Sequence, residues 1–235
     1  NMIREKIIPG NIYHVLNRGV DKRDIFLNDE DKYRFIHDLF EFNDVNPINN
    51  LTRRFRDDLK ASGRPYINEN SKNRELLAEI LAFCLMPNHY HLLIRPRVDD
   101  GLLKFMQRLN MGYAHYFNQK YERKGALFEG RYKSVPITEE SHFIHIPYYI
   151  HLNPLDLVAP EWRQRDINNY KEAIEFLDNY RWSSHLDYMG IKNFPSITSR
   201  NFLLKIFKGS DGYKKETEEW LKNLEISQIK EIILD

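Results

Sequence analysis

The chain has 235 residues, 42% of them hydrophobic and 13% aromatic, a composition that excludes intrinsic disorder and provides for a substantial core. A net charge of +1 gives no whole-chain pull toward nucleic acid, and no apolar run approaches the roughly 20 residues of a membrane span. The single cysteine, Cys84, excludes an internal disulfide, and no charged-then-apolar leader opens the chain, so a cytoplasmic protein without membrane attachment is expected.

In chain order, Ile12 to Leu16 reads as a strand closed by Asn17-Arg18-Gly19, and Asp29 to Phe42 as an amphipathic helix with Tyr33, Ile36, Leu39 and Phe40 on one side. The polar stretch 43–73, with Pro47, Gly63, Pro65 and many Asn, reads as a long insert, with Arg53 to Arg56 as a short helix within it. Leu76 to Leu85 and His89 to Arg95 are strands joined by the turn Met86-Pro87-Asn88. From Gly101 to about Tyr121, the residues Leu102, Phe105, Met106, Leu109, Tyr113 and Phe117 recur at helical spacing as one buried stripe, ended by Gly125. Arg131 to Ile137 is a fourth strand. A last helix of this part starts near Thr138, carries Phe143, Ile146, Tyr149 and Ile150, and stops before Pro154; Pro147 inside it is expected to kink it.

The order strand, helix, strand, strand, helix, strand, helix predicts an α+β fold: a ferredoxin-like split β-α-β antiparallel sheet with helices on one face. From Trp162 onward the pattern is mainly helical, around 168–178, 198–207 and 211–224. The expected division is a nuclease-like domain over 1–160 and a C-terminal extension over 161–235. No internal repeat is present.

Side chains alternate along a strand, so His89 and His91 point the same way about 7 Å apart, a spacing at which two imidazoles can hold one divalent metal. Taken alone, His-x-His is more often a pair of surface or hydrogen-bonded histidines. Tyr149 and Asn153 are four apart and share a helix face; taken alone, such a pair is more often a core aromatic and a helix-terminal Asn before Pro. Between Lys104 and Lys133 seven Lys/Arg stand against two Glu, an excess able to track a phosphate backbone.

Taken together, these stretches resemble the HUH endonucleases, specifically the one-tyrosine transposases of insertion sequences and their REP-associated branch. The resemblance rests on Tyr13-His14-Val15 with Asn17-Arg18-Gly19; Met86-Pro87-Asn88-His89-Tyr90-His91-Leu92-Leu93; Gly125 to Ser134; Tyr149 to Pro154; and Tyr180-Arg181-Trp182-Ser183-Ser184, and it spans about residues 10–190. Two positions depart from the family pattern: Tyr90 stands where a plain hydrophobe is usual, and Asn153 where Gln is frequent. The 43–73 insert is also long for the family.

The resemblance implies a metal-dependent endonuclease and strand transferase that cleaves single-stranded or hairpin DNA through a 5′-phosphotyrosine link. Tyr149 is the implied nucleophile, and Mg²⁺ or Mn²⁺ the implied metal, held by His89, His91 and the Asn153 amide. Arg18, Arg123, Lys124, Arg131 and Lys133 are expected to contact the DNA, and the protein to act as a monomer or homodimer. Tyr148, Tyr113 and Tyr116 are rival nucleophiles, and His145, one turn before Tyr149, a candidate helper. Two other classes stay open: a catalytically silent hairpin-binding module, and a zinc hydrolase using His14 as a further ligand.

Overall fold

The computed structural model describes residues 6–46, 74–164, 166–223 and 230–234. Four strands, β1 (Ile12–Arg18), β2 (Ala78–Met86), β3 (His89–Pro96) and β4 (Lys133–Ile137), form one antiparallel sheet in the order β2-β3-β1-β4. Helix α1 (Asp29–Glu41) links β1 to β2, α2 (Gly101–Lys120) links β3 to β4, and α3 (Glu140–Leu152) follows β4. Beyond α3 come 3₁₀ turns at Asn153–Leu157 and Pro160–Gln164, then α4 (Tyr170–Asn179), α5 (His185–Tyr188), α6 (Asn201–Ile206) and α7 (Gly209–Asn223). This is the expected ferredoxin-like order, with α1 and α2 packed on one face; α3, expected on that face too, lies on the other. The short helix expected at Arg53–Arg56, and most of the insert around it, lie outside the described residues. No helix among the described residues is long and apolar enough to cross a membrane.

Two cores sandwich the sheet. On one face Val15, Phe83, Leu85, Leu92 and Ile94 meet Phe35, Ile36, Leu39, Leu102, Phe105 and Leu109 of the two helices. On the other, Leu81, Ala82, Cys84, Met86 and Leu93 meet α3 and the C-terminal helices through Ile146, Leu152, Trp162, Tyr188, Phe207 and Trp220. A register shift between Ile80 and Ala82 turns both Leu81 and Ala82 to this second core.

The C-terminal segment also closes the β2 edge, whose outward backbone groups would otherwise stand unpaired. Leu85 N–H donates to Trp182 O (2.8 Å), Ser184 N–H to Phe83 O (3.0 Å) and Ser199 N–H to Ile80 O (2.8 Å). The hydroxyls of Tyr180 and Tyr188 donate to Leu85 O and Leu81 O, both at 2.6 Å. At the opposite edge β4 carries Pro136, which has no N–H to offer a further strand.

At the end of β1 the turn Arg18-Gly19 is packed tightly. A Cβ on Gly19 would come within 2.3 Å of Arg23 O, so only glycine fits. Gly19 N–H donates to Asn88 O (2.8 Å) and Val20 N–H to Leu127 O (2.9 Å), which gathers the β1 end, the β2–β3 turn and the 127–130 loop at one end of the sheet.

Candidate active site

Antiparallel pairing places Arg18 opposite His89, Leu16 opposite His91 and His14 opposite Leu93. Directly paired residues share a face, so His14, Arg18, His89 and His91 all project toward α3. Tyr90, between the two histidines, projects the other way into the α1/α2 core and donates to Asn110 Oδ1 (2.6 Å). The unusual residue in the His-x-His stretch therefore leaves the histidine face unchanged.

His89 and His91 are edge-to-face with ring centroids 4.9 Å apart. Their tautomers follow from their partners. The Asn88 amide donates through Nδ2 to Lys22 O (3.1 Å), which fixes its orientation, so Asn88 Oδ1 accepts from His89 Nδ1 (2.6 Å). A carbonyl only accepts, so His14 Nδ1 donates to Ile232 O (2.6 Å); neutral His14 then accepts at Nε2 from His91 Nδ1 (2.9 Å). Both motif histidines thus carry their lone pair on Nε2. His91 Nε2 is buried and without a hydrogen-bond partner among the described residues. Burial, joined by the positive or potentially positive neighbours His89, His14, Arg163 and Arg18, holds His91 well below the ordinary imidazole range and so neutral.

Helix α3 lies between the sheet and the C-terminal helices, and from Ile146 to Leu152 every residue is buried. Adjacent side chains on it diverge by about 100°. Tyr149 meets the histidines, its ring edge-on at 6.0 Å from His91 and 6.2 Å from His14 between centroids. Tyr148 faces away: it stacks on Tyr213 and donates to Glu216 Oε2 (2.5 Å), and burial and then Glu216 push its phenol upward. Tyr113 is a core residue donating to Ile25 O, and Tyr116 pairs with Asp31, both on the other side of the sheet. His145 accepts from Trp220 Nε1 (2.9 Å) and is drawn into the C-terminal helices.

The Tyr149 hydroxyl accepts from Arg163 Nη1 (3.1 Å), and Arg163 Nη2 donates to Asn153 Oδ1 (3.1 Å). The other end of the Asn153 amide donates to Tyr149 O (2.7 Å). Tyr149 and Asn153 do project together, but the group that joins them is a guanidinium. Arg163 is braced by Asp156 through Nε–Oδ1 (2.9 Å) and Nη2–Oδ2 (2.7 Å). Burial works against its charge, yet the Asp156 hydrogen bonds and Tyr149 outweigh it and hold the guanidinium above its ordinary value. No local motif marks Arg163, and only the fold brings it to Tyr149.

The expected DNA contacts divide. Arg18 lies beside His89, with its Nε buried and without a partner among the described residues. Lys133 pairs with Leu16 on the histidine face and is exposed. Arg131 is exposed but precedes β4, in the bend after Gly130, so it does not alternate with Lys133 on the strand as expected. Lys124 is exposed, whereas Arg123 folds over Phe117 and donates to Asn118 Oδ1 (3.3 Å). The positive excess over 104–133 is also smaller than its residue count. Lys120 is paired with Asp31 (2.7 Å) and Glu30 (3.0 Å), and Arg108 donates to Asp44 O. Among the described residues no group of three or more His, Cys, Asp or Glu side chains is gathered to hold a metal.

Residues 45–153 match the family model described as IS200-like transposase. No curated protein matches the chain. Among solved structures it is similar to a REP-associated tyrosine transposase bound to a REP hairpin, at 13% identity over 86% of this chain and 92% of that one, with a TM-score of 0.49. The matched segment takes in the β2–β3 hairpin with both histidines and runs through Tyr149 to Asn153, so the stretch that carries these residues is similar to the IS200-like transposases.

Proposed function

We propose that this protein is an IS200-like transposase that nicks and rejoins single-stranded or hairpin DNA, with Tyr149 as its nucleophile. The observation that supports this best is the divergence of two adjacent tyrosines. Tyr148 is absorbed by the C-terminal core, while Tyr149 brings its ring to His91 and its hydroxyl to Arg163. In the step, the phenol gives up its proton to a water brought in with the DNA, and its oxygen bonds to phosphorus. The P–O3′ bond breaks, and the 3′ oxygen takes up a proton to leave as a 3′-OH. The 5′-phosphotyrosine keeps the phosphodiester energy, so another 3′-OH can reverse the step and join new ends.

The donor set fits a divalent cation. His91 Nε2 is a buried nitrogen without a hydrogen-bond partner among the described residues, and the His89 ring stands edge-to-face beside it. His89 and His91 would hold Mg²⁺ or Mn²⁺, with the Asn153 amide oxygen as a third donor once it exchanges its Arg163 partner. When bound, such a metal supplies Lewis-acid stabilisation of charge on the scissile phosphoryl oxygen. Two imidazoles and an amide bind hard cations weakly, so oxygens of DNA and water would complete the shell. His14 supports the pair by keeping His91 in the Nδ1–H tautomer. Arg18 and Lys133 on the same face would position the phosphate backbone, with exposed Arg131 and Lys124, and Arg123, as further contacts.

One observation favours the second reading, a silent hairpin-binding protein: Tyr149 and His91 are both fully shielded from solvent, each 0% exposed. Incubation with single-stranded DNA and Mn²⁺ separates the two. The enzyme reading expects a covalent adduct that maps to the Tyr149 peptide, is lost in Tyr149→Phe with hairpin binding retained, and persists in Tyr148→Phe. Tight hairpin binding with no wild-type adduct establishes the silent reading instead.

A further inference from the structure

We infer that Arg163 is a further catalytic residue of this site: a guanidinium locked by Asp156, it touches the Tyr149 phenol oxygen and stabilises the negative charge that oxygen acquires as it attacks. The inference rests on Tyr149 being the nucleophile.

The geometry divides the guanidinium fork between two tasks. Its Nε and Nη2 grip the Asp156 carboxylate as a two-point pair, while Nη1 and Nη2 reach Tyr149 Oη and Asn153 Oδ1. Trp162 Nε1 donates to the same Asp156 oxygen (2.6 Å), and the guanidinium carbon sits 5.0 Å from the Trp162 ring centroid and 5.3 Å from that of Tyr149. Arg163 is therefore held on several sides and needs no rearrangement when charge develops. Guanidinium only donates, so the phenol oxygen is the acceptor and its own proton points elsewhere. Loss of that proton leaves the Arg163 contact intact and converts it to the stronger, charge-assisted kind. An interaction that strengthens on the way to the transition state is one that accelerates a reaction.

Asp156 opposes this charge but does not cancel it. The carboxylate is 28% exposed and screened by water, while the Tyr149 end of the guanidinium points into a buried site where charges act more strongly. A purely structural role, tying the 160–164 turn to α3, is the competing account, so the test must read chemistry.

The test uses the full chain, single-stranded DNA and Mn²⁺, and measures the single-turnover rate of adduct formation beside hairpin affinity and melting temperature. Arg163→Ala should slow adduct formation by about 10²–10³-fold, the cost of removing one preorganised donor, with hairpin affinity nearly unchanged. Added guanidinium ion should restore part of the rate where equal sodium chloride does not, and Arg163→Lys should fall between. Should Arg163→Ala fold poorly, Arg163→Met preserves the packing stem and is read the same way. A rate within about threefold of wild type overturns the proposal, as does a loss that neither guanidinium nor lysine mitigates. Absence of any adduct from wild type defeats the nucleophile reading and this proposal together, and that result is visible before any Arg163 variant is compared.

Discussion

Replacing His14 by phenylalanine keeps a flat ring between β1 and α3 but removes both nitrogens of the chain Ile232 O, His14, His91. The His91 Nδ1–H, now bonded at 2.9 Å, loses its acceptor inside a fully buried pocket. Two consequences can be sized. Loss of a second-sphere partner of a metal-binding histidine costs about 10–100-fold in metal affinity, which is about 1.4–2.7 kcal/mol. Independently, the orphaned His91 donor and the orphaned Ile232 carbonyl cost about 1–3 kcal/mol each in stability when both stay unpaired. His14→Gln supplies a donor and an acceptor on one side chain and should recover much of both losses. Mn²⁺ binding followed by electron paramagnetic resonance gives the affinity, chemical denaturation gives the stability, and the ¹⁵N shifts of His91 report its tautomer directly. The reasoning fails if folded His14→Phe binds Mn²⁺ as wild type does. It fails equally if wild-type His91 carries its proton on Nε2.

Two further predictions concern the buried polar groups under α3. The Tyr213 hydroxyl sits between His151 Nδ1 (2.7 Å) and His185 Nδ1 (2.8 Å), and must donate to one and accept from the other. Tyr213→Phe leaves both buried nitrogens unpaired, so a loss of about 2–6 kcal/mol is expected in urea denaturation; a change under about 0.5 kcal/mol would show that the network is not made in solution. The second concerns acid. His91 is held well below its ordinary range by burial and its cationic neighbours, and His151 by burial and then His185, so both stay neutral when folded. The unfolded chain takes up these protons near pH 6.5, so stability is level above that pH and falls as pH drops below it. The slope approaches about 1.4 kcal/mol per pH unit for each histidine, in a window that precedes carboxylate titration. Stability measured without metal that stays flat from pH 7 to 5 would contradict the burial of these rings.

The element order was legible because each helix carries a clean apolar stripe and the β2–β3 hairpin is punctuated by Met86-Pro87-Asn88. The role of the extension was less so, although a signal was present. From Ile80 to Met86 the strand has no polar alternation, the mark of burial on both faces. The second face is taken by α3 and the C-terminal helices, and that burial, with the β2 edge, explains why so many aromatic side chains lie beyond residue 160. The start of β4 was misjudged by two residues because Arg131 continues an alternating pattern, while Gly130 and the Asn17–Gly130 contact hold it in a bend. The local charge excess was overread because composition does not show which cations are already paired, as Lys120 is.

The site was legible where its residues are local and obscure where they are not. His89 and His91, like Tyr149 and Asn153, are set by strand and helix periods alone. The spacing to Asn153 already prefers Tyr149 to Tyr148, and the fold adds a physical reason: a 100° step along α3 turns one tyrosine to the histidine face and the other to the Tyr213–Trp220 stack. Several partners of the site lie C-terminal to Asn153: Asp156 and Arg163 at the phenol, Ile232 O at His14. A boundary drawn at residue 160 therefore cuts between Tyr149 and the guanidinium that donates to its hydroxyl, and between His14 and the carbonyl that sets its tautomer. The helical extension does more than cover a sheet face. It supplies the guanidinium at the Tyr149 oxygen and the carbonyl that, through His14, sets the His91 tautomer.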